Sequence, residues 1–194
     1  MEEQVKVPVF KASLIYGVIL GLASIVLSLL LYFIGQTFEL WALILSPIIF
    51  VGLLVLLLIM LRKEYGKGFI SYGRVVLASF LISLVAALLS TVYTFAIYEF
   101  DESYLQDTKY YAIDQIEKRL DKMDERYQKR LSDEQYERVE SELKKAKKKS
   151  IEKVNKRSTG GYALGGIFNL VFLGVLIGLI AGIFIKKNPV PITQ

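Results

Sequence analysis

The chain has 194 residues and a net charge of +5, with 54% hydrophobic and 22% charged residues. Lys and Arg number 24 and Asp and Glu 19, but 31 of these 43 residues lie between Glu99 and Arg157. This separation into apolar and charged blocks excludes an ordinary soluble domain, in which the two kinds of residue are interspersed.

Four stretches without any charged residue are long enough to cross a bilayer. A hydrocarbon core about 30 Å thick requires about 20 apolar residues in an α-helix. The stretches cover residues 12–34, 40–61, 75–98 and 162–185. The first is too long for the apolar region of a signal peptide and has no cleavage pattern after it, so we interpret it as a retained span.

The predicted fold is therefore an all-α integral membrane protein with four transmembrane helices and one charged insert. Residues 1–98 contain spans one to three, and residues 99–161 form the extramembrane insert. Residues 162–187 contain span four with its terminal lysines, and residues 188–194 form a tail.

The connections between spans predict the orientation of the chain. The turn at residues 35–39 has no basic residue, whereas the segments on the other side carry eight: Lys6, Lys11, Arg62, Lys63, Lys67, Arg74, Lys186 and Lys187. Basic residues in short loops remain in the cytoplasm. We therefore expect both termini in the cytoplasm of a bacterial inner membrane and the insert outside, in the periplasm.

Small residues recur every four positions within the spans and predict helix–helix contacts. Gly17 and Gly21 lie on one face of span one, and Gly174, Gly178 and Gly182 form a similar stripe in span four. Such residues let helix backbones approach closely in lipid. Asn169 is the one carboxamide inside a span, and we expect it to need a partner on another helix.

The insert shows two amphipathic stripes with apolar residues three or four positions apart, which is typical of helices with a coiled-coil-like seam. Ser132 and Gln135 stand between the two stripes and predict a capping box for the second helix. We expect an antiparallel helical hairpin whose contact residues are Ile113, Ile116, Leu120, Met123, Tyr136, Val139 and Leu143.

The charges of the insert have two interpretations. A basic block at residues 144–149 and an acidic block at Glu99, Asp101, Glu102 and Asp107 would lie side by side in an antiparallel hairpin and compensate each other. Alternatively, the lysines could contact anionic lipid headgroups.

No pattern in the chain predicts reaction chemistry. Cys and His are absent, which removes disulfides, thiolate nucleophiles and the commonest metal ligand. No phosphate loop or nucleophile elbow is found, and no ionisable side chain lies within a span, where pumps and coupled transporters place them. We expect no catalytic residue, cofactor, metal or nucleic-acid partner.

Two segments resemble a known family. Span three opens with Lys67-Gly68-Phe69-Ile70-Ser71-Tyr72-Gly73-Arg74, and the Gly-rich end of span four, residues 174–187, finishes in lysines. Both are similar to the pattern of small bacterial membrane proteins with four predicted spans, classed as a domain of unknown function. The resemblance covers about residues 10–187. It implies a four-span fold and a membrane location and carries no activity.

Two functions are consistent with these features. In the first, a non-enzymatic inner-membrane protein has an accessory or scaffolding role, and its hairpin binds a second copy or another envelope protein. In the alternative, the chain is a channel or small-solute carrier that uses Ser83, Ser90 and Thr94 of span three together with Asn169.

Overall fold

A computed structural model of the chain describes residues 9–66 and 68–186, so the predicted tail at residues 188–194 lies outside the described residues. The described residues form six α-helices: α1 (Val9–Phe33), α2 (Leu40–Glu64), α3 (Tyr72–Phe100), α4 (Glu102–Gln128), α5 (Asp133–Lys156) and α6 (Thr159–Ile185). These helices belong to two compact units. One comprises residues 1–94 and 163–194, and the other comprises Phe95–Tyr162.

Four of the described helices, α1, α2, α3 and α6, are long and apolar enough to cross a membrane. The prediction of an all-α protein with four membrane-spanning helices is thereby confirmed. Each helix extends a few residues beyond its predicted apolar stretch at one or both ends, as α2 does through Arg62 to Glu64. A charged residue ends an apolar stretch, but it does not end a helix, because Arg, Lys and Glu are good helix formers.

Two glycines adopt the left-handed conformation in the short connections between helices. After α1, Gly35 has a positive φ of 68°, and the N–H groups of Gly35 and Gln36 donate to the carbonyls of Tyr32 and Leu31. This is the Schellman arrangement, in which glycine adopts the left-handed conformation without the steric cost of a Cβ. Gly68 has a φ of 87° in the connection between α2 and α3.

The core of the first unit is built from one face of each spanning helix. Ala12 and Leu20 of α1, Leu54 and Leu58 of α2 and Ile82 of α3 are buried. The opposite faces carry exposed large apolar residues, such as Phe168 at 81% and Phe184 at 79%. A bilayer solvates such surfaces, so these helices are apolar on all sides and have no polar stripe.

In the second unit, α4 and α5 contact each other. The Tyr136 hydroxyl donates to the Asp124 carboxylate at 3.1 Å. The Lys147 ammonium lies 3.4 Å from carboxylate oxygens of both Glu117 and Asp121. Residues later in α5 therefore contact residues earlier in α4.

The helix caps of this unit differ from the sequence prediction. Ser132 occupies the N-cap position of α5, but its side chain makes no capping hydrogen bond. Asp101 instead caps α4, where its carboxylate accepts the N–H of Tyr104 at 3.2 Å. An aspartate suits this position, since its negative charge interacts favourably with the positive end of the helix dipole.

The register of α4 and α5 predicts which pairs of engineered cysteines can be joined. A short bismaleimide should link Glu117→Cys to Lys147→Cys within one chain, because the native side chains are in contact. The control pair is Glu117→Cys with Glu134→Cys. Residue 134 lies about 20 Å from residue 147, toward the start of α5. Mass spectrometry of the tryptic peptides measures the two yields, and equal yields would contradict this register.

Candidate functional site

The contact between α3 and α6 depends on small residues. The Ser79 hydroxyl donates to the carbonyl oxygen of Gly174 at 2.6 Å, and both Ser79 and Ser83 are fully buried. A Cβ added to Gly178 would lie 2.7 Å from the Ser79 Cβ, and one added to Gly174 would overlap the Ser83 side chain. A larger residue at either glycine would clash with these serine side chains and force the helices apart, because small residues are what allow the close approach.

The other predicted packing glycines also lie in helix contacts. A Cβ on Gly17 of α1 would lie 3.0 Å from the Ile82 carbonyl oxygen of α3, and one on Gly21 would lie 3.2 Å from the Ala86 Cα. Near the end of α6, Gly182 faces the ring of Tyr72. A Cβ added to Gly182 would lie 3.0 Å from the nearest ring atoms. The helix α3 is thus approached closely by α1 and by α6.

Asn169 differs from the expectation that it packs between helices. Its side chain is exposed on α6. The reason is the helical period: Asn169 precedes Gly174 by five residues, which places it about 140° around the helix from that packing face.

Ser83, one of the three α3 residues suggested to line a solute path with Asn169, takes part in packing. Ser79 and Ser83 are fully buried, and the Ser83 side chain lies directly against Gly174. Among the described residues, the Ser83 hydroxyl has no hydrogen-bond partner. Ser83 therefore occupies the interface between α3 and α6 and does not line an open passage.

A polar contact joins α1 to α2 at the end where the short second connection lies. The Tyr16 hydroxyl donates to the Glu64 carboxylate at 2.6 Å, and the Tyr16 ring packs edge-on against Tyr65 at a centroid distance of 6.1 Å. This pair was not predicted from the sequence. The available signal was that Glu64 is the single acid in a basic connection.

Arg62 lies at the same end of the unit, between α2 and α6. Its Nη1 donates to the carbonyl oxygen of Ile185 at 3.2 Å. Ile185 is the last residue of α6, so the cation stabilises the negative end of that helix dipole. The Arg62 Nε is buried and has no hydrogen-bond partner among the described residues.

The segment that resembles a family signature positions the start of α3. Ile70 is buried in the core at 2% exposure. The Ser71 carbonyl accepts the N–H groups of Arg74 and Val75, and the Tyr72 hydroxyl donates to the Leu179 carbonyl at 3.2 Å. These residues therefore start α3 and attach it to α6, which is a structural role.

All seven residues predicted to form the hairpin contact are partly buried. They are Ile113, Ile116, Leu120, Met123, Tyr136, Val139 and Leu143. No residue of α4 or α5, both of which are described in full, is fully buried. Two helices alone thus cover each other's apolar stripe only partially.

The ion pairs of this unit lie elsewhere than expected. Burial opposes the charge of Lys147, but the Asp121 and Glu117 carboxylates outweigh it and raise the pKa of the lysine above its ordinary value. The expectation that residues 144–149 lie beside the acids of residues 99–107 is therefore not met for Lys147. Lys147 lies nine residues before the end of α5 at Lys156, so the observed register places it opposite the middle of α4.

An aromatic cluster lies where α3 meets α4 and where α5 meets α6. The Tyr98 ring lies 5.7 Å from that of Tyr104 and 6.4 Å from that of Tyr162, measured between centroids. The Arg157 guanidinium lies 5.0 Å from the Tyr162 ring centroid, and the Tyr162 hydroxyl donates to the Val154 carbonyl at 2.8 Å. This cation–π contact holds the extended residue Arg157 at the end of α5.

The family described as "Protein of unknown function (DUF4199)" matches residues 15–187. This match confirms the resemblance inferred from the start of span three and from the Gly-rich last span. No curated protein and no solved structure matches the chain.

The tight contact between α3 and α6 predicts a sharp difference between two glycines of the same helix. We expect Gly178→Leu to lower the free energy of unfolding by about 1–3 kcal/mol, because the added side chain meets Ser79. The matched control is Gly166→Leu, since nothing lies within 4 Å of a Cβ added there. Thermal unfolding in detergent micelles measures both, and equal destabilisation would contradict the close approach.

Proposed function

The chain belongs to the DUF4199 family of proteins of unknown function, and on that premise we propose a non-enzymatic role in a bacterial inner membrane. In this proposal α4 and α5 form an antiparallel hairpin outside the membrane. The hairpin binds a second copy of the chain or another envelope protein, which makes the protein an accessory or scaffolding component.

One observation carries this proposal: the apolar stripe of α4 and α5 is only partly buried. Leu120, Met123 and Leu143 each retain exposed surface, although they lie on the faces by which the two helices touch. A two-helix hairpin buries too little surface to be stable by itself, so a further surface would complete its core. A second hairpin of the same sequence would supply a matching stripe, as in a four-helix bundle.

The charge of the insert is compatible with such contact. Sixteen basic and fifteen acidic residues lie between Glu99 and Arg157, so two copies would not repel each other strongly. The ion pairs Lys118–Asp114, Lys144–Glu140 and Lys156–Glu152 each link residues one helical turn apart. Lysines engaged in this way contribute solubility and leave the apolar stripe as the feature that a partner would recognise.

The channel or carrier alternative has less support. Ser83, one of its key residues, is buried between α3 and α6, and Asn169 is exposed on the other side of α6. A shared polar passage would need both side chains to face the same space.

The stripe predicts the effect of a paired substitution. Leu120→Asp with Leu143→Asp should reduce amine-crosslinked oligomers in membranes more than tenfold, because each leucine that association buries contributes about 2 kcal/mol. The control, Gln115→Asp with Ser141→Asp, adds the same two charges at exposed positions and should retain the oligomers.

The intrachain link between Glu117→Cys and Lys147→Cys separates loss of association from collapse of the hairpin. If this link persists in the Leu120→Asp, Leu143→Asp background while the oligomers disappear, the stripe is an intermolecular surface. Oligomers that survive unchanged would contradict the proposal.

The proposed orientation predicts which side of the membrane single cysteines face. The wild-type chain has no cysteine, so Ser141→Cys, Thr37→Cys and Ser71→Cys each create a unique thiol. A membrane-impermeant maleimide should label Ser141→Cys and Thr37→Cys in intact cells and label Ser71→Cys only after lysis. The reverse pattern would place the insert in the cytoplasm.

A further inference from the structure

An open apolar groove runs between α2 and α6 in the first unit. It has a volume of about 520 Å³. Its walls are Val51, Val55 and Ile59 on one side and Ile177, Ile180, Ala181, Phe184 and Ile185 on the other, and Arg62 is its one charged residue. Every wall residue lies within a helix that is long and apolar enough to span a membrane. An occupant from the bilayer would therefore contact these walls through an apolar chain.

Arg62 places a positive charge at one end of the groove, which favours a ligand with a negative group there. Its guanidinium has five N–H donors, of which Nη1 binds the Ile185 carbonyl at 3.2 Å and Nε is buried without a partner among the described residues. None of the ion pairs formed by the described residues includes Arg62. The nearest acid in sequence, Glu64, accepts the Tyr16 hydroxyl.

We propose that this groove binds an anionic phospholipid, with one acyl chain between α2 and α6 and the headgroup phosphate on Arg62. Arg62 lies near the end of α2, and Ile185 ends α6, so both mark one boundary of the apolar stretch. A guanidinium at this level pairs with phosphate in a two-pronged geometry that suits its fixed donors. Basic pockets between transmembrane helices bind lipid headgroups in this way.

Charge complementarity favours a lipid over a second copy of the chain as the occupant. The sequence of α6 contains no acidic residue. A neighbouring copy would present its own α2 and α6 ends, where Arg62, Lys63 and Lys186 outnumber the one acid, Glu64, which already accepts the Tyr16 hydroxyl. These like charges would repel, whereas a phosphate would satisfy the donors of Arg62.

The test compares two lipids with identical acyl chains, phosphatidylglycerol and phosphatidylcholine, added to the full-length protein in detergent. Native mass spectrometry counts the bound lipids, and thermal unfolding measures the stabilisation. The wild type should retain phosphatidylglycerol at least about tenfold better than phosphatidylcholine. Arg62→Gln should abolish this preference, and Arg62→Lys should retain part of it.

Two control variants distinguish lipid binding in the groove from nonspecific binding to charged or apolar surface. Lys63→Gln removes an exposed neighbouring cation, and Phe172→Trp enlarges an exposed residue of α6 outside the groove; both should bind lipid as the wild type does. Ile180→Trp fills the groove with Arg62 intact and should reduce the retention of both lipids. This variant decides the question if Arg62→Gln does not fold.

Three outcomes would overturn the proposal. Equal retention of the two lipids by the wild type would remove the headgroup contact. Equal losses in Arg62→Gln and Lys63→Gln would indicate diffuse surface charge. Stabilisation by inorganic phosphate alone, with lipid retention unchanged by Ile180→Trp, would indicate an anion site without an acyl chain. The result is independent of the crosslinking test on α4 and α5.

Discussion

The close approach of α3 to α6 is the interaction on which the first unit depends. In hydrocarbon there is no water to expel between two apolar helices, so their association must come from van der Waals contact and interhelical hydrogen bonds. Gly174 and Gly178 allow the backbones to come near enough for the Ser79 hydroxyl to reach the Gly174 carbonyl at 2.6 Å. On another side of α3, Gly17 and Gly21 bring α1 equally close. The core of this unit therefore forms around α3, and its large apolar residues are left for the lipid.

Polar groups near one boundary of these helices each have a defined structural or binding role. Glu64 accepts the Tyr16 hydroxyl and so joins α1 to α2, whereas Arg62 stabilises the end of α6 through the Ile185 carbonyl. The two charged residues are two positions apart, yet they make separate contacts on different helices. This separation leaves Arg62 without an acidic partner among the described residues, which is the basis for the proposed lipid site.

The second unit depends on different interactions, because α4 and α5 are rich in charged residues and have no fully buried residue. Its stability relies on an apolar stripe, on the Asp101 cap and on a few contacts such as Tyr136 to Asp124. Surface ion pairs contribute little to stability, so the lysine-rich face adds mainly solubility. The partly exposed stripe is the feature most readily explained by a further binding surface. The two proposals thus concern different surfaces, one on the first unit and one on the second.

Much of the architecture follows from the sequence because it depends on local composition. Charge-free stretches of about 20 residues are sufficient to identify four spanning helices, since the thickness of the bilayer sets that length. The period of three and four residues likewise identified Leu120 and Leu143 as members of one face of α4 and α5. Tertiary structure alone decided which faces meet. Asn169 and Gly174 lie about 140° apart on α6, and only the structure shows that the Gly174 face is the one that meets α3. Tyr16 and Glu64 are 48 residues apart but share a hydrogen bond. Composition and periodicity report on the neighbours of a residue along its own helix, whereas partners on other helices depend on how closely the backbones approach and in which register.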